Sequence, residues 1–261
     1  MPEYILVDGS YFCFFRYHAL LTWWKNAHKD DPLVSPPIEN AIFVEKFKKI
    51  AKQKFEEMKK RVGMKNPTFI IGKDCHRADI WRHDIYDKYK ANRDTEDAFL
   101  GGPFFKIAYD EIFIDYKVLS HPRLEGDDCI ALYTKHLLDT IPDVQISIIT
   151  SDMDYLQLHR ENVSLYDLKW KNLMSSKTAF PDAAQNLFCK IVMGDKSDNI
   201  PSVFKKCGIK TAEKMYNKQD EFIHRLNNDE NATTLYQRNK TLIDFNEIPI
   251  LYVNEFKKLY I

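Results

Sequence analysis

Apolar and polar positions along this chain fall into blocks that read alternately as strand and helix. Tyr4 to Val7 is a short apolar run closed by Asp8-Gly9-Ser10, which predicts a buried strand and a tight turn. Tyr11 to Leu21 then reads as a helix, and Trp23 to Asn40, with Pro32, Pro36 and Pro37, as an irregular connection. Ala41 to Arg61 carries Ile42, Phe43, Phe47, Ile50, Ala51, Phe55 and Met58 at helical spacing, with lysines opposite and Gly63 as terminator. Thr68 to Ile71 predicts a second strand and Lys117 to Ser120 a third. An amphipathic helix follows, with Ile130, Leu132, Tyr133, Leu137 and Leu138 toward the core. Val144 to Ile149 and Val163 to Tyr166 complete the strands. A short helix is expected over Ala184 to Met193, then helix, glycine-containing turn and helix over Ile200 to Met215, then helices to the end. Strands alternating with helices imply an α/β fold with a mostly parallel, doubly wound sheet.

Composition adds little. The 261 residues suit one large α/β domain, alone or with a small appendage, and 44% hydrophobic residues suffice for its core. Lysine plus arginine equals aspartate plus glutamate at 38 each, so a polyanionic partner would have to be met by segregated charge. Cys13, Cys75, Cys129, Cys189 and Cys207 are scattered and odd in number, which suggests reduced thiols in an intracellular protein. No leader-like pattern and no apolar run of membrane-spanning length is present, so no membrane role is expected.

The acids change the picture. Asp8 closes the first strand and Asp74 follows the second. Glu125, Asp127 and Asp128 open the amphipathic helix, and Asp152 and Asp154 close the Val144–Ile149 strand. Strand carboxyl ends and helix starts are where open α/β sheets place their sites. Asp195 and Asp198 add two more in a loop-like Gly-Asp-Lys-Ser-Asp-Asn stretch. Taken singly, each acid also reads as a helix cap or a dipole partner. Together they form an oxygen-rich, His-poor set that suits Mg²⁺ or Mn²⁺ rather than zinc. Between His76 and Arg93 basic and aromatic residues interleave, a pattern that suits a nucleic-acid backbone with stacked bases, or else a solvated helix that buries its aromatics. An aspartyl-nucleophile phosphatase is excluded, because it needs an acid where Ser10 stands.

In this order the segments Ile-Leu-Val-Asp-Gly-Ser, Asp74 with Tyr-Lys-Ala-Asn-Arg-Asp, Leu-Glu-Gly-Asp-Asp, Thr-Ser-Asp-Met-Asp and Gly-Asp-Lys-Ser-Asp-Asn-Ile-Pro resemble the 5′→3′ exonuclease and flap endonuclease family. The resemblance spans residues 4 to 216. The Leu242 to Pro249 pattern further resembles the ribonuclease H of T-even phages. It implies a PIN-like nuclease domain over residues 1–183, with a helical arch at about 76–110, and a helix-hairpin-helix and helical region over 184–261. It implies two Mg²⁺ ions, replaceable by Mn²⁺. Asp8, Asp74, Glu125, Asp127 and Asp128 would lie around the first, and Asp152, Asp154, Asp195 and Asp198 around the second. Lys90 and Arg93 would be catalytic cations. Phe14, Arg77, Lys88, Tyr89, Lys205, Lys206, Lys210 and Lys214 would meet nucleic acid.

The implied activity is metal-dependent hydrolysis at 5′ flaps or ends of DNA, or of RNA in RNA–DNA hybrids, in primer removal or repair. The chain is expected to be a monomer at replication sites, in a bacterial host's cytoplasm if phage-encoded. A polymerase, clamp or single-strand-binding partner would fit. A catalytically silent binder of branched DNA is the alternative, opposed by the full acid set. Family hairpins carry a glycine where Lys206 stands, which puts the K⁺ ion often held there in doubt.

Overall fold

The computed structural model describes all residues except 31, 32, 34 and 96–98, together with the side chains of 94 and 95. Five strands form one parallel sheet in the order β3-β2-β1-β4-β5. They are β1 (Glu3–Asp8), β2 (Thr68–Gly72), β3 (Lys117–Leu119), β4 (Gln145–Ile149) and β5 (Val163–Tyr166). Successive strands step outward from β1 to β3, then the chain crosses back and continues from β4 to β5. The direction reverses at the β1–β4 boundary, so the crevice outside these carboxyl ends is the natural binding place of an open α/β sheet.

Both faces of the sheet are covered, which is why the strands are apolar throughout rather than alternating. Ile5 and Val7 face one core with Phe12, Phe43, Phe47, Phe55 and Phe104. These come from α1 (Gly9–Ala27), α2 (Ala41–Glu56) and α4 (Gly102–Ile107). The short helix α3 (Met58–Arg61) follows α2, and Gly63, at φ +76°, ends it. Leu6, Ile146 and Ile148 face the other core with Ile130, Leu132 and Leu137 of α5 (Gly126–Thr140). Phe245, Ile248 and Phe256 join this second core, so the last helix, α10 (Ile250–Tyr260), packs on the α5 side of the sheet. A third core binds α6 (Ala183–Met193), α7 (Ile209–Asn217), α8 (Gln219–Asn227) and α9 (Glu230–Ile243). Among the described residues no helix is long and apolar enough to cross a membrane.

Four expectations are corrected. The first helix starts at Gly9 and runs on to Ala27, because Trp24 is buried against Phe43 and stacks on His28. The proline-containing remainder of that connection includes residues 31, 32 and 34, outside the described residues. Ile42 is 73% exposed at the start of α2 rather than part of its core stripe. The basic–aromatic stretch is not an α-helix: it forms short 3₁₀ turns at Arg77–Asp79, Trp81–Asp84 and Ala91–Thr95. Within the arch expected at 76–110, the described residues hold one α-helix that closes there, α4, and residues 96–98 lie outside the description. The helix expected from Ile200 is absent too. Residues 200–208 form no helix, and α6 and α7 flank them.

Candidate active site

Strand ends deliver the first acids. Asp8, the last residue of β1, caps α1: its Oδ1 accepts from the Tyr11 amide at 2.9 Å, and its Oδ2 accepts from the Thr150 hydroxyl at 3.3 Å. Asp74, two residues past β2, accepts from Ser10 Oγ at 2.5 Å and from the Gly126 amide at 2.6 Å. That second bond ties the β2 end to the start of α5. A Cβ on Gly72 would sit 2.6 Å from the Gly126 carbonyl oxygen, so only glycine allows this approach. Asp152 caps the 3₁₀ turn Met153–Leu158 by accepting from the Asp154 amide at 2.9 Å. Asp8, Asp74, Glu125, Asp127 and Asp152 line one cavity of about 730 Å³, with Phe14, Lys90 and Arg93 also on its wall.

Two electrostatic environments share this region. Burial pushes the Asp8 carboxyl up to about 7, and the neighbouring charges of Asp74 and Asp152 add to it. Burial, with Asp128 and Glu125 nearby, pushes Asp127 well above the usual carboxylate range. Among the described residues, Lys90, Lys190, Arg82 and Arg93 form their ion pairs with other acids, although Arg82 and Lys90 also act on Asp127 through space.

Those other acids are compensated. Glu125 Oε1 accepts from Lys90 Nζ at 2.5 Å, and Oε2 accepts from Arg82 Nη1 at 2.9 Å and the Tyr89 hydroxyl at 3.0 Å. Burial alone would raise Glu125, but Lys90 and Arg82 outweigh it and bring its pKa to about 2. Burial would lower Lys90 in turn, yet Glu125 and Asp198 hold it above the usual lysine range, so it stays charged. Asp198 accepts from Arg93 Nη2 at 2.8 Å and lies 3.7 Å from Lys90 Nζ; burial nevertheless keeps its pKa raised. Lys190, on α6, bridges Asp154 at 2.7 Å and Asp195 at 2.5 Å. Against the effect of burial, these two acids raise Lys190, and Lys190 lowers Asp195.

Lys90 and Arg93 are held by the turn that carries Asp195 and Asp198. The Lys90 amide donates to the Asp198 carbonyl at 2.9 Å, Asn199 Nδ2 to the Lys88 carbonyl at 2.8 Å, and Asn92 Nδ2 to the Lys196 carbonyl at 3.0 Å. Lys90 itself adopts φ +56°, a strained backbone for a residue with a Cβ. Arg77 Nη2 donates to its carbonyl at 2.7 Å.

The expected site residues therefore separate. Asp8, Asp74, Glu125 and Asp127 meet in the cavity, and Asp152 lines it with them rather than with Asp195 and Asp198. Asp128 is placed differently from Asp127. Glu125, Asp127 and Asp128 bring one oxygen each within 4.8 Å of one another, but Asp128 is buried behind the cavity. Its Oδ1 accepts from Arg82 Nη2 at 2.7 Å, and its Oδ2 accepts from Arg82 Nη1 at 2.8 Å and from Trp81 Nε1 at 2.9 Å. Tyr89 is a correction: it is 2% exposed, and its hydroxyl serves Glu125 and Asp198, so it offers no ring to a base. Phe14 is half exposed at the cavity mouth and stacks on Phe99 with ring centroids 5.6 Å apart. Lys88, Lys205, Lys206, Lys210 and Lys214 are exposed. Lys206 takes φ +57°, the left-handed conformation that glycine adopts freely.

Sequence reading missed Lys190 and Arg82. Nothing local marks Lys190, because its partner Asp154 lies far back in the chain. Arg82 sat in a stretch read as surface, whereas it is 2% exposed beneath Glu125 and Asp128.

An all-parallel sheet with acids gathered at the carboxyl ends around its switch point defines a carboxylate-lined α/β site faced by the part-buried Lys90. The chain belongs to the 5′-3′ exonuclease family: the model of its N-terminal resolvase-like domain matches residues 3–186. It is 28% identical over 242 residues to a 5′-3′ exonuclease of Buchnera aphidicola, covering 90% of this chain and 77% of that protein. It is 28% identical to ribonuclease H of Enterobacteria phage T4 over 213 residues, 70% of this chain and 68% of that one. It is also 28% identical over 206 residues to DNA polymerase I of Rhizobium leguminosarum, of whose length it spans only 19%. The fold is that of the bacteriophage T5 flap endonuclease, solved in a pseudo-enzyme-product complex with DNA and metal ions. The match has a TM-score of 0.70 and 17% identity, over 98% of this chain and 97% of that one.

Proposed function

We propose that this chain is a Mg²⁺-dependent 5′ nuclease that hydrolyses phosphodiesters at 5′ ends and flaps of DNA, or of RNA in RNA–DNA hybrids. One observation carries the reading: Asp8, Asp74, Asp127 and Asp152 share a cavity with no cationic partner among the described residues, while Lys90 stands charged on its wall. Such a set is costly unless a hard cation joins it, and all-oxygen donors suit Mg²⁺ or Mn²⁺. Family membership supports the reaction class, and the neighbouring flap endonuclease's complex supports DNA as substrate.

Bound divalent ions would supply a deprotonated water and charge stabilisation at the phosphate and leaving oxygen. Asp8, Asp74 and Asp127 would hold the first ion, with Asp152 and Glu125 at its edge. Asp154, Asp195 and Asp198 would serve a second ion only where Lys190 yields its place. Lys90, fixed between Glu125 and Asp198, would face the negative charge that grows on the phosphoryl oxygens, and Arg93 would assist. The products would be a 5′-phosphate and a 3′-hydroxyl. Phe14 and Phe99 would stack on the terminal base pair or the displaced base. Exposed lysines of the 205–214 hairpin would neutralise duplex phosphates. Because Lys206 replaces a glycine, the hairpin binds K⁺ weakly or not at all. A silent DNA binder is the weaker reading, since it would have no use for acids left without partners.

The deciding experiment follows end-labelled flap, nicked, overhanging and RNA–DNA substrates under single turnover. Cleavage should vanish in EDTA and return with Mg²⁺ or Mn²⁺, while Ca²⁺ supports binding. Full cleavage in EDTA would refute the reading.

A further inference from the structure

The family model ends at residue 186, yet the chain around residues 239–245 reaches the back of three acid-bearing segments. Arg82 Nε donates to the Leu242 carbonyl at 2.7 Å, while its two Nη groups hold Glu125 and Asp128. Gln157 uses its whole side-chain amide in the same way. Its Nε2 donates to the Ile243 carbonyl at 3.0 Å and to the Asp154 carbonyl at 2.9 Å, and its Oε1 accepts from the Phe245 amide at 3.0 Å. A flipped amide would set oxygen against two carbonyls and NH₂ against an N–H, so the network fixes its orientation. One turn earlier on α9, buried Asn239 Nδ2 donates to the Ile191 carbonyl at 3.1 Å and the Pro201 carbonyl at 2.8 Å. These flank the turn that carries Asp195 and Asp198. Lys135 Nζ closes the set, donating to the Phe245 carbonyl at 3.0 Å and Asn246 Oδ1 at 2.9 Å.

We infer that the Asn239–Phe245 end of α9 is a positioning brace that fixes the three acid-bearing segments relative to one another, with Gln157 as its positioning residue on the Asp154 side. The inference rests on the proposed metal-dependent reaction. Acids from the α5 start, the 152–154 turn and the 195–198 turn come from remote parts of the sequence. Their spacing cannot be set by local geometry. A single rigid helix end bonded to all three can set it. Groups that orient ligands without touching the ion typically change metal affinity or activity 10–100-fold when removed.

The test uses Gln157→Leu, which keeps bulk and removes all three bonds. It also uses Lys135→Met, which loosens the brace while touching no acid. Three quantities are read on the full chain: Mn²⁺ affinity by calorimetry without nucleic acid, flap affinity in Ca²⁺, and single-turnover rate against Mg²⁺. Gln157→Leu should weaken the weaker, second Mn²⁺ site about 10-fold and shift the Mg²⁺ dependence equally, with the tightest site kept, rate recovered at high Mg²⁺ and flap affinity within about twofold. Lys135→Met should weaken that second site by about threefold, in the same direction. Variants with a lower unfolding midpoint but wild-type Mn²⁺ affinity would reduce the brace to mere scaffold and overturn the inference. If Gln157→Leu does not fold, Lys135→Met decides alone. Absence of Mn²⁺ binding by the wild-type protein would instead sink the metal-dependent reading beneath it.

Discussion

The two groups of acids, though adjacent, are balanced in opposite ways. Asp154, Asp195, Asp198 and Glu125 are balanced from within, by Lys190, Lys90, Arg93 and Arg82. Asp8, Asp74, Asp127 and Asp152 form no ion pair among the described residues, and burial pushes Asp8 and, despite Lys190, Asp154 up to about 7. The first group carries its own counter-charges; the second, on the proposed reading, leaves room for an external cation. Carboxylate count alone therefore says little about where an ion binds; the distribution of lysine and arginine around the acids says more.

The comparison can be broken in several places. The largest effect should come from the unbalanced group. Asp127→Asn should lower the single-turnover rate by roughly 10³-fold or more, since several kcal/mol of charge stabilisation leave with the ion, while flap affinity in Ca²⁺ changes modestly. A wild-type rate would remove Asp127 from the metal site. On the balanced side, Lys90→Ala should cost roughly 10²-fold in saturated single-turnover rate with little change in Kd, as for loss of one preorganised group. Lys88→Ala is its control, for Lys88 is exposed two residues away. Weakened binding at an intact rate would make Lys90 an anchor instead.

The pH dependence of metal-free unfolding tests the burial that both groups share. Burial pushes the folded carboxyls of Asp8 and Asp154 up to about 7 from an ordinary value of 3.8. Between these values the folded state binds more protons, so stability should fall as pH rises from about 4 to about 7. Asp8→Asn should flatten that slope, and an unchanged slope would show that Asp8 is not the group responsible. The smallest effect lies far from the acids. Lys206→Gly relieves a left-handed backbone and should raise stability by roughly 1 kcal/mol in denaturant unfolding, with a matching gain in any K⁺-specific duplex binding. No gain in stability would mean that the turn carries no strain.

Much of this was legible because it is local. The five strands and the helices after Ala41, Gly126 and Ala183 follow from apolar spacing, and the acids at β1, β2 and β4 from their place after apolar runs. What escaped notice depends on contacts between remote segments. Trp24 extends α1 through packing on Phe43. The Lys90 stretch looked helical by composition, but its backbone is bonded to the 195–199 turn instead, and that turn lies about a hundred residues away. Asp128 has the same sequence context as Asp127 and differs only in facing Arg82, a residue 46 positions earlier. No periodicity records such pairings.

The most direct measurement is Mn²⁺ binding by calorimetry to the wild-type protein and to two double variants, Asp8→Asn with Asp127→Asn and Asp154→Asn with Asp195→Asn. The account predicts that the first pair loses the tightest site, by more than about 10-fold, and that the second pair keeps it. Wild-type affinity in the first pair, with loss in the second, would contradict it.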